Sequence, residues 1–206
     1  MNSIRANNSI RPLTVFLIIL AATLCACSSG VNLRPGDINS LEDSIIVGRM
    51  RFIPGASCVR PAQIPAFELR NADKRTSTPF GSPGWTSPQE GQIIDIPISR
   101  KVEPGTYELR IQVEKGTWDS VWLDEDQLPL ARFEVPRGLL VYFGTIEVAL
   151  KCEGSTRNGR AQYSDHTVMD ESALDIGLFQ KEHSEVYQMY QNKILLQVKQ
   201  APWKEL

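Results

Sequence analysis

Apolar residues are distributed along this chain in three patterns, and each predicts a different kind of element. The first is a continuous run, Leu13 to Leu24, placed behind Arg5 and Arg11. A basic start, a short apolar stretch and small residues at its end are the layout of an export leader. A helix needs roughly 20 apolar residues to cross a bilayer, and this run is shorter. The second pattern alternates and predicts strands. From Glu42 to Ile53 it places Ile46, Met50 and Phe52 on one face, with Gly48 marking a bulge or a close backbone approach. A short strand follows at Ala66 to Leu69. Gln92 to Ser99 then sets Ile94, Ile96 and Ile98 against Asp95 and Pro97, and Pro97, with no N–H to give a ladder, predicts either an edge strand or outer positions that face solvent. Tyr107 to Val113 sends Tyr107, Leu109, Ile111 and Val113 to a core and Glu108, Arg110 and Gln112 to water. Shorter strands are expected at Val121 to Leu123, Leu130 to Val135 and Arg160 to Asp165.

The third pattern is apolar on both faces. Leu139 to Cys152 is the longest such run after the leader, with Leu140, Val141, Tyr142 and Phe143 in succession, so it belongs at the centre of a sheet. Gly144 within it predicts a second bulge or close approach. Near the end, Asp170 or Ser172 caps a helix over about Ala173 to Gln191, with Asp175 in its first turn and a stripe of Leu174, Leu178, Phe179, Val186 and Tyr190. Ile194 to Val198 reads as a last strand or the end of that helix. Asn71 to Gln89, rich in Ser, Thr, Pro and Gly, reads as a long loop carrying Phe80 and Trp85, which either form an exposed platform for a sugar or a partner or, the preferred reading, fold down over one end of the core. Together these elements predict a mainly β chain: an antiparallel β-sandwich of seven to nine strands with one C-terminal α-helix, preceded by a cleaved signal peptide. Residues 1–26 form the leader, 27–41 a tether without apolar period, and 42–200 the sandwich domain with its helix.

Composition narrows this further. Removing residues 1–26 from the 206 leaves about 180, enough for one domain with a sizeable core. With 22 basic and 24 acidic residues, and two arginines lost with the leader, the mature chain stands at about −4, which argues against nucleic acid as a partner.

The leader ends Leu24-Cys25-Ala26-Cys27, which resembles a bacterial lipobox. The resemblance implies a diacylglyceryl thioether on Cys27, cleavage before it, and acylation (palmitate or a similar chain) of the new amino group. Cys25 is the weaker acceptor, because bulky Leu24 stands where a small residue is wanted. Ser28 and Ser29 follow without an aspartate, which resembles the default address of the outer membrane. A single acyl chain holds weakly and two or more hold stably, so the implied anchor is permanent.

Two cysteines then remain, Cys58 and Cys152, in a chain sent to an oxidising compartment. If they pair, a loop of about 95 residues closes, contributing roughly 4–5 kcal/mol in the chain-entropy model. Two buried free thiols are the other reading. No metal site is expected from this pair. The acidic tip Asp124-Glu125-Asp126 lacks calcium-loop spacing and reads as a solvated turn.

A further resemblance rests on Pro104-Gly105 with Tyr107 and Leu109, then Phe133, Val135, Gly138, Tyr142, Gly144 and Ile146. These residues are similar to a pattern in uncharacterised bacterial lipoproteins of the DUF2846-like type. Their domains are β-sandwiches similar to the carboxypeptidase regulatory domain. The helix with Asp170 and Asp175 is similar to the segment that follows the second motif there. The similarity covers roughly residues 92 to 180. It implies a fold and an anchor, and no activity.

Candidate chemistry is sparse. Ser164, Asp165 and His166 are adjacent on an expected strand, where neighbours point to opposite faces. No G-x-S-x-G, HExxH, P-loop or G-x-G-x-x-G occurs in the sequence. No catalytic residue, metal ligand or cofactor is therefore expected. Two functional classes stand. One is a non-catalytic interaction or structural module that docks another envelope protein. The other is an envelope-glycan binding module using Trp85, Trp118 and Trp122.

Overall fold

The computed structural model describes residues 32–34, 36–55, 62–63, 65–81, 85–86, 93–115, 119–122, 129–153 and 159–198. The leader, Cys27, Cys58, Trp118 and the 124–126 tip lie outside them. In chain order the strands are β1 (Ser44–Pro54), β2 (Ala62–Gln63), β3 (Phe67–Asn71), β4 (Thr76–Gly81), β5 (Trp85–Thr86) and β6 (Ile94–Val102). They continue as β7 (Gly105–Lys115), β8 (Asp119–Trp122), β9 (Ala131–Val135), β10 (Leu140–Glu153) and β11 (Gly159–Met169). Helices α1 (Ser172–Glu182) and α2 (Ser184–Tyr190) precede the last strand, β12 (Ile194–Leu196).

The first sheet runs β5-β2-β11-β10-β1-β6, with β12 also on β10; the second runs β4-β3-β7-β8, with β9 also on β7. The alternating apolar positions meet between the two sheets. Ile46, Met50, Phe52, Ile98, Val141, Phe143, Ile146 and Val148 from the first face Phe67, Leu69, Tyr107, Leu109, Ile111 and Phe133 from the second. Phe133 stacks on Phe143 with centroids 5.0 Å apart, an offset ring geometry that favours such pairs. Proline at 97 does sit on an edge strand, β6.

The mainly β, two-sheet sandwich agrees with the expectation, but the first sheet is mixed rather than antiparallel. Its long inner strands β1 and β10 pair in parallel, as do β10 with β12 and β11 with β2. Parallel strands are covered on both faces and read as near-continuous apolar runs. That is how β10 reads, and how β1 reads through Ile45, Ile46 and Val47. Alternation reports which face is buried, not which way the neighbouring strand runs.

Three further expectations change. The 71–89 stretch is not one long loop, since β4 pairs with β3 across a turn at residues 72–75, where Asn71 Oδ1 accepts the Lys74 N–H at 2.9 Å. Its proline, Pro79, is accommodated because β4 is an edge. Phe80 does fold down, 5.1 Å from Phe67. Arg110 does not face water: it is buried opposite Glu68, 4.0 Å away. The tether expected over 27–41 is docked on the domain at Leu33 and again at Ser40. Leu33 is only 6% exposed, its N–H donates to Ser99 Oγ at 3.3 Å, and Tyr190 Oη donates to the carbonyls of Ser40 and Asp43.

The expected single helix is two. His183 leaves helical geometry at φ −129° and ψ 52°, with its ring against Phe179 and 3.4 Å from Ser99 Oγ. The stripe also differs. Phe179 and Tyr190 are buried, but Leu174 (50% exposed) and Leu178 (37%) point outward. The inward face of α1 is Asp175 and Phe179, four residues apart, with Glu171 one turn earlier. A stripe sought among apolar residues alone misses a face whose buried positions include carboxylates.

Candidate functional site

The most developed polar constellation lies under α1, on the outer face of the first sheet. It begins with a bulge. Val47 is opposite Tyr142, but Arg49 is opposite Thr145, so β10 carries one extra residue beside Gly48. Gly144 takes φ 107° there, a region that favours glycine. A side chain on Gly48 would meet the Phe143 ring at 2.5 Å, so both expected glycine roles are realised in one feature. The bulge has a chemical consequence. Residues three apart on a regular strand face opposite ways, and the extra residue brings Tyr142 and Thr145 to the same face.

Both then donate to one carboxylate. Asp175 Oδ2 accepts from Tyr142 Oη at 2.9 Å and Thr145 Oγ1 at 2.7 Å. Asp175 Oδ1 receives Nε and Nη2 of Arg49 at 2.8 and 2.6 Å. Asp175 is 4% exposed and Arg49 7%, so each charge is compensated by its partner where little water reaches. Burial, with the Asp175 charge adding to it, pushes the Tyr142 hydroxyl well above its ordinary range and keeps it a donor. Tyr142 Oη in turn accepts the Glu171 N–H at 3.1 Å, satisfying a backbone donor at the start of α1.

A second ion pair flanks the first. Nη1 and Nη2 of Arg51 grip the Glu171 carboxylate at 2.8 and 2.9 Å, and its Nε donates to Asp95 Oδ1 at 2.9 Å. This two-pronged geometry is the strong form of the arginine–carboxylate pair. The Arg51 hydrogen bonds hold the Glu171 carboxyl below its ordinary value of 4.5. The pair therefore stabilises the fold above that value, and its contribution is lost as pH falls toward the lower folded value. The urea midpoint should be level above about pH 5.5 and decline below about pH 4.5, and Glu171→Gln should flatten part of that decline. An unchanged acid limb in the variant would remove Glu171 from the account.

The sequence-derived candidates are dispersed. Trp85 lies on β5, an outermost strand of the first sheet, and Trp122 on β8, an outermost strand of the second. Of these two the structure describes the backbone alone, so an aromatic binding row is not among the described features. Cys152 is half-buried near the end of β10, against the rim of the core. Ser164, Asp165 and His166 lie on β11 with Ser164 as the extra residue of another bulge, between Ala149 opposite Asp165 and Leu150 opposite Tyr163. The His166 ring meets Tyr163 Oη at 2.8 Å, and burial pushes the imidazole below its ordinary value.

The network beneath α1 is not legible in the sequence, apart from the position of Asp175 in the first turn of the helix. Its one sequence signal is Arg49 and Arg51 alternating with the core residues Met50 and Phe52 on a strand whose other face is also covered. Among the described residues, no group of three or more His, Cys, Asp or Glu is placed to hold a metal ion, and no helix is long and apolar enough to cross a membrane. No protein-family model matches the chain, and no curated protein matches it either.

Proposed function

We propose that this chain is a lipid-anchored protein of the bacterial cell envelope, whose domain is a non-catalytic interaction or structural module. One observation carries the reading: the apolar run Leu13 to Leu24 behind two arginines, ending Leu24-Cys25-Ala26-Cys27. Cys27 is the acylated residue, and the serines after it assign the outer membrane. The non-catalytic role is supported by the constellation under α1. Its carboxylate is sealed between helix and sheet, with each oxygen taken by a neighbouring donor, which suits a fastening better than a reaction centre. The proposed partner is another envelope protein, in the periplasm or at the cell surface.

Cys27→Ala is expected to abolish incorporation of a palmitate label and to take the protein out of the outer-membrane fraction. The urea midpoint of the domain should not change. A variant that stays there, or keeps the label, would refute the anchor.

The same exported setting favours a disulfide between Cys58 and Cys152. Pro54 is opposite Leu150 in parallel register and Gly55 N–H donates to the Leu150 carbonyl at 2.9 Å, so the segment carrying Cys58 sets out beside the one carrying Cys152. A peptide map without reductant should show the two joined. Reduction should then cost roughly 4–5 kcal/mol of stability, the entropy of a loop of about 95 residues. Alkylation of both thiols in unreduced protein would exclude the bond.

A further inference from the structure

The docked N-terminal segment shortens the distance between the domain and its proposed anchor. Asn32 is five residues beyond Cys27, a reach of at most about 18 Å even when fully extended. Beside this segment and the edge strand β6 lies an open cavity of about 350 Å³, lined by Asn32, Leu33, Arg34, Asp37, Arg100 and Lys101. Three cations and one carboxylate therefore line it.

Their commitments differ. The Asp37 carboxylate accepts the Arg34 backbone N–H at 2.7 Å, while Lys101 Nζ is shared between the Asp37 carbonyl at 3.1 Å and Asp43 Oδ1 at 2.8 Å. Arg34 is exposed. Arg100 is half-buried with its guanidinium 5.5 Å from the centroid of Phe80. Burial pushes Arg100 below its ordinary value, opposed by the charge of Asp37, so it is a partly dehydrated cation whose charged form a nearby anion favours. A planar guanidinium presents paired donors that match phosphate oxygens.

We propose that this cavity takes the phosphodiester of a phospholipid headgroup and so holds the domain against the bilayer that anchors it. The inference rests on acylation at Cys27. A membrane is favoured over free phosphate by reach, because the cavity wall is the chain that emerges from the headgroup layer. Bilayers that carry anionic lipid also attract basic residues lying within a Debye length of their surface.

The test uses the full mature chain purified from membranes. The mass of its N-terminal fragment reads the anchor independently. The protein is placed in nanodiscs of phosphatidylethanolamine and phosphatidylglycerol doped with a lipid whose headgroup carries gadolinium, and amide broadening is mapped by NMR. Broadening should be strongest at Asn32 to Asp37 and at Arg100 and Lys101. It should fall at least threefold there in Arg34→Gln and in Arg34→Gln/Arg100→Gln; the first variant changes only an exposed side chain. Broadening spread evenly over the domain, or unchanged in both variants, overturns the proposal. In a parallel arm, inorganic phosphate is titrated against the protein in maltoside micelles, with the Arg100 Nε shift as readout. A shift there without localised broadening in nanodiscs means a site for free anions, and overturns the lipid assignment. An N-terminal fragment without acyl chains sinks the anchor instead, and the micelle titration still reports on the cavity.

Discussion

Asp175→Ala should lower the stability of the domain by about 3–5 kcal/mol, the usual cost of removing one partner from a buried ion pair. The substitution leaves Arg49 enclosed, with Asp95 3.5 Å from its Nη1 and the nearby Glu171 carboxylate, already paired with Arg51, as the remaining counter-charges among the described residues. It also strips the acceptor from Tyr142 Oη and Thr145 Oγ1, two hydroxyls that pack beneath the helix. The comparison that isolates the charge is Arg49→Met/Asp175→Leu, which removes both ions and fills the space with apolar atoms. Pairs replaced in this way are often neutral in stability, so the double variant should lie well above the single one. Urea unfolding at neutral pH reads both. A single variant within about 1 kcal/mol of the parent would mean that α1 is held by Phe179 and its apolar neighbours, and that the ion pair contributes little net.

Gly48→Ala is expected to cost about 3 kcal/mol, at the upper end for overpacking one methyl group. The added carbon would stand 2.5 and 2.6 Å from Cζ and Cε2 of Phe143, and 2.7 Å from the carbonyl oxygen of Gly144. The ring cannot withdraw freely, since it stacks on Phe133, and the oxygen belongs to the backbone of the bulge itself. The effect should spread beyond the strand. The bulge aligns Tyr142 with Thr145 under Asp175, so disturbing it should speed hydrogen exchange at the α1 amides more than at those of β7. Equal protection in α1 before and after the substitution would separate the bulge from the helix contact.

These two variants probe opposite ends of what could be anticipated. Gly48 and Gly144 stand out in the sequence as residues without side chains inside strands, and both prove to be part of one bulge. The Arg49–Asp175 pair has no such mark. Its members are 126 residues apart, one on a strand and the other in the first turn of a helix. An ion pair closed over that distance has no local period, and each residue alone looks like an ordinary solvated charge. The buried face of α1 escapes an apolar pattern for the same reason, because the carboxylate of Asp175 occupies a position that such a pattern assigns to an apolar residue. The bulges also defeat simple alternation. Tyr142 with Thr145, and Tyr163 with His166, are three apart and yet bonded through a shared carboxylate or directly.

The sequence by itself determined the mainly β character, the core faces of β1, β6 and β7, the marginal or solvent-facing place of Pro97 and, through Gly48 and Gly144, one of the bulges. These follow from sterics and solvent exposure within a few residues of one another, which the order of side chains already encodes. Only the tertiary structure decided that β1 and β10 run parallel, that the N-terminal segment packs onto the domain through Leu33, and that α1 rests on two arginines. Each of these depends on which distant segments come into contact. Closing such contacts is governed by the burial of the whole core, in which a charge can stay away from water only where the fold delivers its partner.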